Sequence, residues 1–243
     1  MSSKQPRLYQ KIGEQIKEDI LTEFQVGDRL PPERIIADKY NVGRAVVREA
    51  IIMLELENLV EVKKGSGIYL ISDVGLSSQS LTDQIGPFEH LQARQIIESN
   101  IAKFAAMQVT KADIIHLREA IDMEEKNLID GQIDDSGDKM FHLALAQATQ
   151  NSAFVDIINY FWSWREISPM WKKLHSHIND TNYRKKWLTD HKEIFTAIHK
   201  KEADAAYNAM WNHLENVKET LITLSNAEDP GFDGYLYMDT PKL

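Results

Sequence analysis

The 243-residue sequence predicts a mainly α protein in two parts, on three observations. Apolar residues recur at helical spacing over most of its length, one short alternating stretch brackets a Gly-Ser-Gly turn, and a polar, Ser-rich segment divides the chain. Leu8, Ile12, Ile16, Ile20 and Phe24 repeat every four residues, the stripe of a first amphipathic helix. Gly27-Asp28 and Pro31-Pro32 break the chain, and Pro32-Glu33-Arg34 opens a short helix carrying Ile35, Ile36 and Ala37. After the tight turn Asn41-Val42-Gly43, a third helix runs from Arg44 to about Glu57, with Val47, Ala50, Ile51 and Leu54 on one face. Val60 to Leu70 then alternates apolar and polar on both sides of Gly65-Ser66-Gly67, a hairpin signal. Three short helices plus a hairpin make a winged helix-turn-helix over residues 1–72, followed by a linker at 73–86.

From Pro87 onward the chain reads as helices. One spans Pro87 to about Val109; Thr110-Lys-Ala-Asp113 is a capping signature for the next, ending near Gly131. Others fit Asp138 to Thr149, a segment capped by Asn151-Ser152 through Arg165, Met170 to His177, Asp180 to Lys200, and Glu202 to Leu224. Six or seven helices with no strand pattern predict an all-helical antiparallel bundle over 87–226, with an irregular tail at 227–243.

Composition narrows the chemistry. Without cysteine, disulfide frameworks, Cys-ligated zinc, iron–sulfur clusters and thiol nucleophiles are excluded, so any metal must be held by His, Asp or Glu. The formal net charge is -9, and -8 of it lies beyond Gly75. That acidity argues against indiscriminate coating of nucleic acid while leaving room for a small basic reading surface in the first part. No apolar run approaches the roughly 18 residues of a membrane span, and a soluble, cytoplasmic protein is expected.

In a helix-turn-helix the second helix enters the major groove by its N-terminal residues. Arg44 stands at that N-terminus with Arg48 one turn on, and Arg suits paired acceptors on guanine and phosphate. Arg34 is placed for the DNA backbone, and the wing tip Lys63-Lys64-Gly65 for a groove or phosphate. Ordinary solvated basic residues are the competing reading. In the second part, Asp138 and His142 share one helix face, and His191 and His213 lie on the inward stripes of two further helices. One Asp and three His converging in a bundle would suit Zn, Ni or Mn; alternatively each His is a core residue bonded to backbone or water.

Leu30-Pro-Pro-Glu-Arg34, Val42-Gly-Arg-Ala-Val-Val-Arg-Glu-Ala50 and Val60-Glu-Val-Lys-Lys-Gly-Ser-Gly67 together resemble the N-terminal domain of GntR-family transcription regulators. The resemblance implies DNA contacts at Arg34, Arg44, Arg48, Lys64 and Gly65. At Gly43 the family commonly has a capping Ser or Thr, so a phosphate contact there is missing or made by backbone. Asp138-Lys-Met-Phe-His142, Asp190-His191 and Met210-Trp-Asn-His213 resemble ligand segments of the FadR-type subfamily's helical effector domain (FCD-like). This implies a divalent metal, zinc first, on Asp138, His142, His191 and His213. Arg94 matches an arginine that pairs with an effector carboxylate, and Asn151 a pocket-side Asn that is equally a helix cap.

Longer stretches, among them Trp162-Ser-Trp-Arg-Glu166 and Ala209-Met-Trp-Asn-His-Leu-Glu-Asn216, are similar to the family's regulators of hexuronate catabolism. A homodimeric repressor is implied, bound to a pseudo-palindromic operator and responsive to a sugar acid such as fructuronate or glucuronate. Arg165, His175, His177 and Trp211 are candidates for hydroxyl contacts or ring packing, whereas Trp162, Trp164 and Trp171 are read as core or dimer packing. Two other classes stay open: a metal-dependent hydrolase or isomerase with Glu98 as its one candidate base, and a bundle whose metal is purely structural.

Overall fold

The computed structural model describes residues 6–74, 85–132, 134–177 and 183–225. Ten helices and one hairpin appear among them: α1 (Leu8–Glu23), α2 (Glu33–Tyr40), α3 (Arg44–Leu56), β1 (Val60–Lys63), β2 (Gly67–Leu70), α4 (Pro87–Gln108), α5 (Lys111–Ile129), α6 (Ser136–Gln147), α7 (Ser152–Ile167), α8 (Pro169–Ser176), α9 (Tyr183–His199) and α10 (Ala203–Leu224). The mainly α fold with a small two-stranded sheet is the expected one. The expected tail and most of the expected linker lie outside the described residues.

Local chemistry sets these limits. Asn41 ends α2 in the left-handed conformation that Asn tolerates, at φ 52°. Gly43, with no side-chain cap, precedes α3. Thr110 and Asp113 close a reciprocal capping box on α5, and Ser168 caps α8 with Pro169 at its first position. β1 and β2 pair antiparallel from Val60 opposite Leu70 to Lys63 opposite Gly67. The turn between them needs Gly65 at φ 72° and Gly67 at φ 118°, and a Cβ on Gly67 would strike the Arg29 guanidinium.

The chain divides into two compact units that do not follow the linker alone. The N-terminal unit holds α1–α3, the hairpin and the first residues of α4, and it also takes in α8 and the end of α10. Its core joins Ile12, Ile16 and Ile20 of α1 to Val47, Ala50, Ile51 and Leu54 of α3, with Leu30, Ile68 and Leu70. The expected apolar face of α3 is therefore buried, but so are Ile52 and Met53 on other faces. α1 and α8 both pack on α3, which accounts for burial on more than one side. The C-terminal unit, His90–Ile167 with α9 and most of α10, builds its core from Ile101, Ala105, Leu117, Phe141, Leu145, Ile158, Ile194, Ile198, Met210 and Leu214.

Glu49 of α3 is fully enclosed in the N-terminal unit and caps the start of α4. Its Oε1 accepts from the backbone N–H of Phe88 at 2.6 Å and of Glu89 at 2.9 Å. Gly86 leaves the room, since a Cβ there would fall 2.3 Å from the carboxylate. Burial pushes the Glu49 carboxyl up to about 8 against the pull of the two N–H donors. Above the ordinary carboxylate value and below about 8, the folded state thus holds a proton that the unfolded chain has released, so stability falls as pH rises through that window. Glu49→Gln, whose amide oxygen accepts the same two bonds, is expected to gain about 1–3 kcal/mol near pH 8 and to flatten the pH dependence between 5 and 8 in thermal melts.

Candidate functional site

Three helices of the C-terminal unit bring three imidazoles together. His142 comes from α6, His191 from α9 and His213 from α10, all buried, with one candidate ligand nitrogen from each lying within 4.8 Å of the others. Asp138, one turn before His142, places Oδ1 3.2 Å from His142 Nε2 and 3.8 Å from His191 Nε2. Each His also has a carboxylate at its other nitrogen. Glu98 meets His142 Nδ1, Glu124 meets His191 Nδ1 at 2.8 Å, and Asp190 meets His213 Nδ1 at 3.3 Å and accepts from Asn216.

These outer carboxylates decide what the inner face presents. With Glu124 and Asp190 accepting from the Nδ1–H of His191 and His213, the Nε2 atoms of those two rings turn lone pairs inward, whereas His142 donates from Nδ1 to Glu98 and from Nε2 to Asp138. His191 Nε2 and His213 Nε2 are 3.2 Å apart, two acceptors with no hydrogen between them. Burial, then the neighbouring His191, brings His213 down to about 3, which keeps its ring neutral. Burial opposes the charged form of His142, but Glu98 and Asp138 outweigh it and raise that ring to about 9. Asp138 stays ionised despite burial, held well below the usual carboxylate range by its bond to His142 and by Arg165. The two Nε2 lone pairs, one carboxylate oxygen and a His142 that can give up its Nε2 proton to a cation make a donor set that fits a divalent ion, and the 3.2 Å separations match the edge of a shell with bonds of about 2.0–2.2 Å.

Two guanidiniums stand beside the cluster. Arg94 donates from Nε to Glu98 at 2.5 Å, and Arg165 reaches Asp135 at 3.1 Å and Asp138 at 3.5 Å. Glu98 is thereby committed to Arg94 and His142, with its carboxyl driven far below the usual range, and is not a free base. A cleft lined by Glu124, Asp135, Asp138, Arg184, Trp187 and His191 adjoins the centre.

The remaining sequence candidates have other surroundings. Asn151 Oδ1 accepts from the Ala153 N–H at 3.1 Å, the bond of a helix cap on α7. Trp211 stacks on Tyr207, and its carbonyl accepts from Gln95. His175 and His177 are corrected more plainly: both belong to the N-terminal unit, where His175 packs on Trp171 and His177 pairs with Glu55 at 3.1 Å. The sequence reading missed Glu124 and Asp190 as partners of the histidines. Glu124 was findable, because Leu117, Ala120 and Ile121 form a buried helical stripe on which a carboxylate at the next inward position is out of place.

On the N-terminal unit, Gly43 is exposed at the start of α3 and Arg44 is its first residue, while Lys64 and Gly65 are exposed at the hairpin turn. Arg34 is exposed and within 3.5 Å of Asp38. Arg48 departs from the expectation of a DNA contact. It is buried at 2% exposure, its Nε and Nη2 donate to the two oxygens of Glu33, and its Nη1 donates to Ser225 Oγ at the end of α10. A fork-to-fork pair with a buried carboxylate uses up the side chain.

Among the described residues no helix is long and apolar enough to cross a membrane. Residues 8–70 match the model of bacterial regulatory proteins of the gntR family, and residues 89–216 that of the FCD domain. The chain is 50% identical to the Uxu operon transcriptional regulator of Escherichia coli K12, over 97% of this chain and 95% of that protein. It is 49% identical to the Uxu operon regulator of Haemophilus influenzae, over 98% and 90%. Identity to the Exu regulon transcriptional regulator of Escherichia coli K12 is 47%, over 98% and 93%.

Proposed function

We propose, from the premise that this chain belongs to the gntR family of bacterial regulatory proteins and carries an FCD domain, that it is a hexuronate-responsive repressor. It is a DNA-binding regulator of the hexuronate pathway and not an enzyme: its relatives over the full chain regulate the Uxu and Exu systems. The observation that carries the ligand half of this reading is the placement of Arg94 and Arg165 against the Asp138, His142, His191 and His213 cluster. Those four residues would hold a divalent ion, zinc first with nickel or manganese as alternatives, which supplies a Lewis-acidic anchor for a carboxylate. Glu98 takes Nε and Nη2 of Arg94, leaving Nη1 for the effector.

Two N-terminal units of a homodimer read the halves of a pseudo-palindromic operator. Arg34, Gly43, Arg44, Lys64 and Gly65 make the contacts, and Arg48 supports the reading helix from within. An effector acts only if it favours one arrangement of the heads. α4 is the route: Arg94 lies on it six residues after Phe88, whose N–H binds Glu49 of the reading helix. Titrating fructuronate and glucuronate into the metal-loaded protein–operator complex is expected to release DNA, followed by fluorescence anisotropy. Retention of the operator in the presence of both acids would sink the inducer assignment.

A further inference from the structure

We propose that the indole N–H groups of Trp162 and Trp187 read hydroxyl groups of the effector, so that the pocket selects polyhydroxylated acids over plain carboxylates. The inference rests on the effector reading above and adds two residues to it. Trp162 sits in the bundle core at 4% exposure, where its sequence context predicts packing. Yet its Nε1 is buried with no hydrogen-bond partner among the described residues, and the same is true of Trp187 Nε1. Native proteins seldom leave a buried donor unmet, and a buried indole nitrogen ordinarily finds an acceptor. Both rings border the same cluster. Trp162 has the Arg165 guanidinium 4.1 Å and that of Arg94 5.7 Å from its ring centre, and the His142 ring 6.2 Å away. Trp187 lines the cleft that Asp138 and His191 share.

The chemistry of the acceptor follows from its neighbours. An effector carboxylate spends its oxygens on the cation and on Arg94, so the two indoles need acceptors elsewhere on the ligand. A second carboxylate beside Trp187 would face Asp135 and Asp138 in the same cleft, a like-charge encounter. A hydroxyl oxygen accepts from N–H without adding charge. Hydroxyls along a short carbon chain therefore satisfy both donors where an alkyl chain satisfies neither.

Trp162→Phe and Trp187→Phe remove the donor and keep an aromatic ring. Calorimetric titration of the metal-loaded full-length protein compares glucuronate with hexanoate, a six-carbon acid without hydroxyls. Each variant is expected to bind glucuronate about tenfold more weakly, with hexanoate affinity and metal content unchanged. Unchanged glucuronate binding in both variants would overturn the proposal, and so would a parallel loss for both acids, the result of lost packing. If the unsubstituted protein binds neither acid, the effector reading itself is overturned before any variant is compared.

Discussion

Replacing Arg48 with alanine is expected to lower the unfolding free energy of the N-terminal unit by about 3–5 kcal/mol, since it strands the buried Glu33 carboxylate. A residue that only touched DNA would sit in water when free, and its removal would cost within about 0.5 kcal/mol. Urea unfolding of the full-length protein separates the two. Total stabilities of about 5–15 kcal/mol make the larger loss easy to see. A double variant, Glu33→Gln with Arg48→Met, removes both charges and is expected to recover much of the loss, because a buried pair replaced by neutral groups of similar volume costs little. A single variant as stable as the parent would show that Arg48 turns outward in solution and return it to the DNA surface.

Arg94→Ala is expected to act on two observables at once. Glu98 is at 1% exposure and loses its guanidinium, so the C-terminal unit is expected to lose about 3–5 kcal/mol, tempered by the bond that His142 retains. On the proposed reading, hexuronate binding is expected to fall below detection in calorimetry, while metal uptake stays near that of the parent because Arg94 is not one of the four residues proposed to hold the ion. Arg94→Lys is not expected to rescue either property. A point charge replaces neither the contacts of Nε and Nη2 with Glu98 nor the remaining N–H. Unaltered effector affinity in Arg94→Ala would remove this side chain from the binding site.

What could be read from the sequence divides by range. Helix limits were legible because they are written locally: the Thr110–Asp113 box and the four-residue stripe from Leu8 place α5 and α1 within a residue or two. The residue types of the Asp138, His142, His191 and His213 cluster were legible on inward stripes, though their meeting is a tertiary fact. Arg48 was misread for the same reason. Its partners lie 15 and 177 residues away, and spacing alone cannot distinguish a guanidinium held by Glu33 from one offered to a phosphate. The docking of α8 left one unused trace, the run Ile51-Ile52-Met53-Leu54. A helix apolar on more than one face needs more than one neighbour, and α1 supplies only the first.

The composition of the N-terminal unit also governs when it can be completed during synthesis. Its first segment ends at Glu89, but α8 and the end of α10, which supplies Ser225 to Arg48, emerge much later. At roughly 5–20 residues per second, the ribosome needs on the order of 10–30 s to make the rest. During that interval the reading helix lacks the cover that buries its second apolar face. A nascent chain therefore cannot finish its DNA-binding unit before its FCD domain has been made, and an operator meets a head whose last supports followed that domain out of the ribosome.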